Sequence, residues 1–387
     1  MQRSLRWARR NLTATIMLLT AACAPQILPV PATDTPTVVA PTVTPLPLDA
    51  PVVGAPALVA IRMFDPSNGW GVGETAILRT IDGARTWLDV SPIEGEFGYA
   101  VTTEFIDALH GWVLAANPDD ALSGILYRTS DGGVNWRQVP VPFGGGTLQF
   151  IDEKRGWMMA SLGAGAGSMA IAVHVTQDSG ATWTQTYVND PTQSGAGNSL
   201  PLGGLKDGIT PLSMDRAWIG GVVYEPGRIY LYQTTDGGRT WTETPIEAPA
   251  DYSEAELETT GPIFLDAQVA MLPLHMSSQV GVMLATYISR DGGTSWRLNS
   301  DFIPHGGSVD FVTPDVGFAW NGQNFYLTTN AANSWTAIAP DVDFTDSFAG
   351  MDFVTPQVGF VLSDRGDAEP RVYVTYDSGA TWEVVGL

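Results

Sequence analysis

Short, largely apolar runs stand just ahead of polar, glycine-containing turns: Ile77-Leu78, Ile125-Leu126-Tyr127, Ala172-Val173-His174-Val175 and Val372-Tyr373-Val374. Their lengths and β-branched or aromatic content predict strands. Each turn then follows one phrase: an acid or amide, two small residues, a hydroxyl residue or Asn, and Trp five positions after the acid. The seven copies start at Asp82, Asp131, Asp178, Asp236, Asp291, Asn330 and Asp377, at spacings of 49, 47, 58, 55, 39 and 47 residues. The phrase predicts a hairpin tip. The acid is expected to accept hydrogen bonds from amides one and two residues on, Gly to supply positive φ, and Trp to carry apolar surface back into the sheet. Seven similar tips are structural caps, because they cannot all be one active site.

A second phrase precedes each tip: an apolar pair, Asp or another polar residue, a short turn, then Gly and an aromatic. It reads FDPSNGW to Trp70, FIDALHGW to Trp112, FIDEKRGW to Trp157, SMDRAW to Trp218, FVTPDVGF to Phe318 and FVTPQVGF to Phe360, with FLDAQVAM to Met271 as the divergent copy. Together the two phrases predict four antiparallel strands per unit. The period is that of a propeller blade, so the fold class expected is all-β, a single seven-bladed propeller over residues 57–387.

These phrases resemble the Asp-box, or BNR, repeat, and their pairing on one ring behind an export signal is most similar to the photosystem II stability and assembly factor family. Sortilin, sialidase and xyloglucanase propellers are more distant likenesses. The resemblance implies fold strongly and activity weakly, since this scaffold hosts hydrolases, receptors and assembly factors. Unit six departs from the repeat at Asn330 and Ala332, where Asn is expected to take the left-handed turn. The acidic balance also departs from the Arg-rich patch that the resemblance implies for an assembly factor. A sialidase is disfavoured: AIRMFDP around Arg62 lacks that family's early motif, and few arginines stand in the variable loops.

Composition changes the picture at the N-terminus. Arg3, Arg6, Arg9 and Arg10 precede an uncharged stretch from Asn11 to Ala22 and then the single cysteine, Cys23. Residues 1–22 therefore read as an export signal, and LTAAC resembles a lipobox that would make Cys23 the lipidated N-terminus. Residues 23–56 read as a Pro- and Thr-rich tether; extended at about 3 Å per residue it would reach roughly 80 Å or more. Removing the four arginines moves the formal charge from −22 to −26. Only Lys154 and Lys206 are lysines, which argues against a nucleic-acid partner.

Strand direction puts the acidic tips on the same face as the Gly-aromatic turns. The opposite face receives the irregular loops: 117–124, 161–168, 189–210, 247–261, 300–307, 341–347 and 363–370. Candidate ligand-face residues there are Asp119, Asp120, Arg228, Asp251, Tyr252, His305, Asp346 and Arg365, and candidate stacking aromatics are Phe143, Tyr187, Tyr252 and Phe344. No His or Cys spacing marks a metal site, no cofactor is implied and no catalytic set stands out. The RGD triplet at 365–367 falls in an expected exposed loop but is a three-residue match that arises easily, and the glycines after Leu162 do not connect a strand to a helix as phosphate binding requires. The expected function is a lipid-anchored, exported, non-enzymatic scaffold that binds a protein or glycan outside the cytoplasm. The alternative is a glycoside hydrolase using two loop carboxylates, whose separation the sequence does not set.

Overall fold

The apolar runs become strands and the acidic tips join the third strand of each meander to the fourth. A computed structural model describes residues 50–387 apart from residues 96, 98–100, 367–368 and 387; the signal, Cys23 and most of the tether lie outside the described residues. The described chain is all-β, with one three-residue 3-10 turn at Ala250–Tyr252, and none of its helices is long and apolar enough to cross a membrane.

The tips close differently from the expectation. In the second copy, Asp131 accepts from the Asn135 amide at 2.9 Å, the Asn135 side chain at 2.8 Å and the Thr129 hydroxyl at 2.8 Å. Its partners are therefore four residues on and two residues back, because the loop folds over its own acid. Thr129 in turn accepts the Gly133 amide at 3.0 Å. The two residues after the acid hold the positive φ. In the sixth copy these are Ala331 at 60° and Ala332 at 59°, not Asn330, whose side chain keeps the acid's role through Ser334 and Thr328.

The upstream phrase has an equally local cause. Its Gly lies beneath the Phe that ends the preceding strand: a Cβ at Gly111 would stand 2.6 Å from the Phe105 ring, and one at Gly359 only 2.4 Å from Phe353. That Phe then stacks on the aromatic of the preceding unit. Trp70 lies on Phe105 at 4.5 Å between centroids, Trp112 on Phe150 at 3.6 Å and Phe318 on Phe353 at 3.5 Å. Each phrase thus builds its own turn and the seam to its neighbour.

Six hydrogen-bonded sheets result: four of four strands, one of five and one of ten. The ten-stranded sheet joins the meanders of the fourth and fifth tips. Strand Glu256–Glu258 meets Val222 on one side and His275–Ser277 on the other, and Gly220 permits the close approach of residues 259–261 that follow it. The first and last sheets pack together, with Leu58, Met63 and Trp87 against Phe360, Leu362 and Val374. Strand Val52–Val53 does not extend the last sheet beside Trp382–Val385, as a shared-sheet closure would require. It pairs with Trp87 and Leu88 in the first sheet, whose outer edge is the nearer partner. A chain beginning at Gly54 should therefore lose about 1 kcal/mol of stability, the scale of a lost cross-strand pair; an unchanged melting temperature would contradict the pairing.

Candidate functional site

The expected ligand-face residues are distributed among separate connections. Asp119 is the tip of a hairpin whose strands run to Asn117 and resume at Asp120, so residues 117–124 close a hairpin with a bulge over 121–123. Residues 161–168 likewise form a hairpin, with strands ending at Gly165 and resuming at Ser168. Arg228 is consumed by Glu225 at 2.8 Å and Glu243 at 3.1 Å, which raise its pKa. Asp251 and Tyr252 share the 3-10 turn, where Tyr252 packs edge-on against Phe302 at 6.0 Å. His305 sits at φ 56°, and Asp346 and Arg365 are exposed on two further connections. Among the described residues no hydrogen bond joins any two of these eight. Three of the four expected stacking aromatics are core: Phe143 and Phe344 are each 1% exposed and Tyr187 5%.

Among the described residues the most exposed aromatic is Tyr224, 62% exposed, in the turn Tyr224-Glu225-Pro226 between the second and third strands of the fourth unit. It borders a slot of about 330 Å³ closed by Glu254, Glu256 and the Ser277–Gln279 hairpin end of the next unit. Alternation arranges the acids: Ala255 and Leu257 are buried, and Glu254, Glu256 and Glu258 are exposed. Glu256 and Glu258 share one side of the strand, about 6.6 Å apart along it, and Glu254 stands in the turn before it.

The row leads to Asp207 on the adjoining unit. Partial desolvation of this outward-facing carboxyl, reinforced by the Glu258 charge, pushes Asp207 up to about 6. A register shift between Lys206 and Gly208 sets this position by turning Lys206 inward and Asp207 outward. The Lys206 ammonium, with the residue 3% exposed, donates to the carbonyls of Leu202 and Gly204 at 2.9 Å and of Met169 and Gly203 at 3.1 Å. Sequence reading placed residues 247–261 among the irregular loops of this face but missed Tyr224 and Asp207. The only local cue was the Tyr-Glu-Pro-Gly turn itself.

A second polar group, three of its five members acids, lies toward the tip face at the position before the residue that ends the strand, Met63 or a seam Phe: Arg62, Glu104, Gln149, Asp310 and Asp352. These acids are spent as staples between sheets. Asp310 accepts the Phe353 amide at 2.6 Å; Asp352 accepts the Met63 amide and Arg62 at 3.2 Å; Glu104 accepts Gln149 at 3.4 Å. Burial, opposed by the Phe150 amide and Arg62, pushes Glu104 up to about 7; burial also raises Asp352 to about 6. Glu104, Gln149, Arg62 and Trp70 border a cavity of about 320 Å³. Among the described residues no group of three or more His, Cys, Asp or Glu side chains is placed to hold a metal ion.

No family model matches the chain. A probable oligoxyloglucan-reducing end-specific xyloglucanase of Neosartorya fischeri is 25% identical over 216 residues, covering 48% of this chain and 26% of that protein. The match thus spans about a quarter of the relative's length. Among solved structures, YCF48 bound to a D1 peptide superimposes with a TM-score of 0.52 at 16% identity, covering 85% of this chain and 95% of that one. An ancestral GH74 enzyme gives 0.49 at 12% identity, covering 86% and 45%. The likeness to YCF48, with the sheet architecture, defines a β-propeller.

Proposed function

We propose that the chain is a seven-bladed Asp-box propeller, held at the extracytoplasmic surface by a lipid on Cys23, that binds a protein or glycan through its variable-loop face without chemical turnover. Seven tips, six built on Asp and one on Asn330, support the blade number, the ten-stranded sheet counting as two blades bridged by Glu256–Glu258. The observation that carries the binding role is Tyr224, an exposed ring beside an open slot where a sugar face or an apolar side chain can stack. The peptide named with the YCF48 structure supports a protein ligand. The acids nearer the tip face are committed to holding sheets together, which leaves them unsuited to acid-base work.

One observation favours the hydrolase alternative. Asp207 is a carboxyl raised to about 6 beside Glu258, the division of acid and base roles that glycoside hydrolysis uses. The xyloglucanase likeness lends it weight. The deciding experiment incubates the full chain with xyloglucan oligosaccharides and with solubilised membrane proteins. The scaffold reading expects retention of a glycan or protein, weakened at least tenfold by Tyr224→Ala, with no new reducing ends. Reducing ends released by the unaltered chain and abolished by Asp207→Asn would establish the hydrolase instead. Cys23→Ser should free the protein from the membrane fraction.

A further inference from the structure

We propose that the tip face carries a second binding site, an oxyanion cleft between the second and third units, built on Arg128 and Arg137 and suited to a uronate- or sulfate-bearing saccharide. The cleft holds about 670 Å³, roughly twice the volume of the Tyr224 slot. It lies beside the acidic tip of the second unit, on the face that repetition alone marks as structural.

Strand register carries the argument. Arg128 and Arg137 are directly opposite each other in neighbouring antiparallel strands, which sets their Cβ atoms about 5 Å apart. Like charges so placed repel, and such pairs are ordinarily separated or neutralised. Here no carboxylate forms a direct ion pair with either arginine, the Asp178 carboxylate feeling the Arg128 charge only at longer range, although the chain has 41 acids against 19 Lys and Arg. Among the described residues, the seven ion pairs include neither of them. Arg128 donates through Nη1 alone, to the carbonyls of Asp178 at 2.8 Å and Ser179 at 3.2 Å, and its buried Nε has no partner. Arg137 makes no side-chain hydrogen bond to the described residues and is exposed.

The nearby acids are already engaged. Both Asp131 oxygens are filled by Thr129 and Asn135, both Asp178 oxygens by Thr176 and Thr182, and Glu153 stands at 3.4 Å from Lys154 and 3.6 Å from His110. The free Arg137 fork and the uncommitted Nη2 of Arg128, with a lysine at the rim, thus face one opening, donors that carboxylate and sulfate accept. The rest of the lining selects a polyhydroxylated ligand over a peptide. Ser130, Asn135 and Ser179 offer hydroxyl and amide groups. Trp112 is only 1% exposed and Trp136 is half-buried with its ring N–H held by the Val90 carbonyl, so the exposed lining is mainly polar.

The test is calorimetric titration of the Cys23→Ser full-length chain with trigalacturonate, maltotriose and penta-aspartate at low ionic strength. Trigalacturonate should bind and maltotriose should not. Raising salt should weaken the complex, and Arg137→Gln should weaken it at least tenfold without lowering the melting temperature. Tyr224→Ala, on the other face, should leave it unchanged, so failure here and failure of the scaffold reading are separate results. Absence of trigalacturonate binding, equal binding of maltotriose, tighter binding of penta-aspartate, or indifference to Arg137→Gln each overturns the proposal.

Discussion

Lys206→Met will lower unfolding stability by about 3 kcal/mol or more, because removing the ammonium orphans carbonyls that each cost about 1–3 kcal/mol when buried without a donor. Four carbonyls surround Nζ within 3.1 Å and no carboxylate is among its partners. Tyr230 adds its ring at 5.5 Å. Burial brings the ammonium down to about 8, so it is still protonated at pH 7. The lysine acts as a tethered cation that gathers residues 202–204 and the end of strand Ser168–Thr176 into one corner. Lys206→Ala should therefore recover part of its lost melting temperature in ammonium or potassium chloride but not in tetramethylammonium chloride. A Lys206→Met protein as stable as the parent would show that the carbonyls find water without cost. Because the same register shift turns Asp207 outward, the substitution should also disturb the acidic row beside Tyr224.

The second large effect is on pH. Glu104 holds its proton more tightly folded, up to about 7, than at its ordinary 4.5. Folded stability from this group is therefore fully present below about 4.5 and declines as pH rises to about 7. The change across that window is roughly 3 kcal/mol. Asp352, raised to about 6 from 3.8, acts in the same direction. The tip acids act oppositely. Asp291 is held down to about 2, first by the Ser295 hydroxyl and amide, so its contribution is present above 3.8 and lost as pH falls toward 2. Chemical denaturation should show greatest stability near pH 4–5, a fall toward pH 8 and a second fall below pH 4. Glu104→Gln should flatten the upper limb and leave the lower one. A stability that climbs from pH 5 to pH 8 would contradict the burial of these staples.

Both effects depend on side chains whose importance is invisible locally. Lys206 reads as one of two lysines in a long connection, and Glu104 as a polar residue before a phenylalanine. The tip acids were legible because the partners of Asp131 lie within residues 129–135. Even there the exact donors differed from the expectation, since amides four residues on come into reach only after the loop has folded over. Burial of Phe143, Tyr187 and Phe344 was not legible for a related reason: an aromatic in a connection looks the same whether it faces solvent or caps a seam.

What the sequence by itself determined is the repeating architecture. Turn chemistry acts over about five residues and strand alternation over two, so each unit writes its own hairpins and its own seam aromatics. Only the tertiary structure decided which charges are spent and which are free. Asp310 meets the Phe353 amide 43 residues away, Asp352 meets Met63 across 289, and Asp207 feels Glu258 from an adjoining unit. Arg128 and Arg137 become a bare opposed pair only through strand register and the tip of the next unit. Electrostatic roles are set by through-space neighbours and burial, and those are fixed when the sheets close on one another.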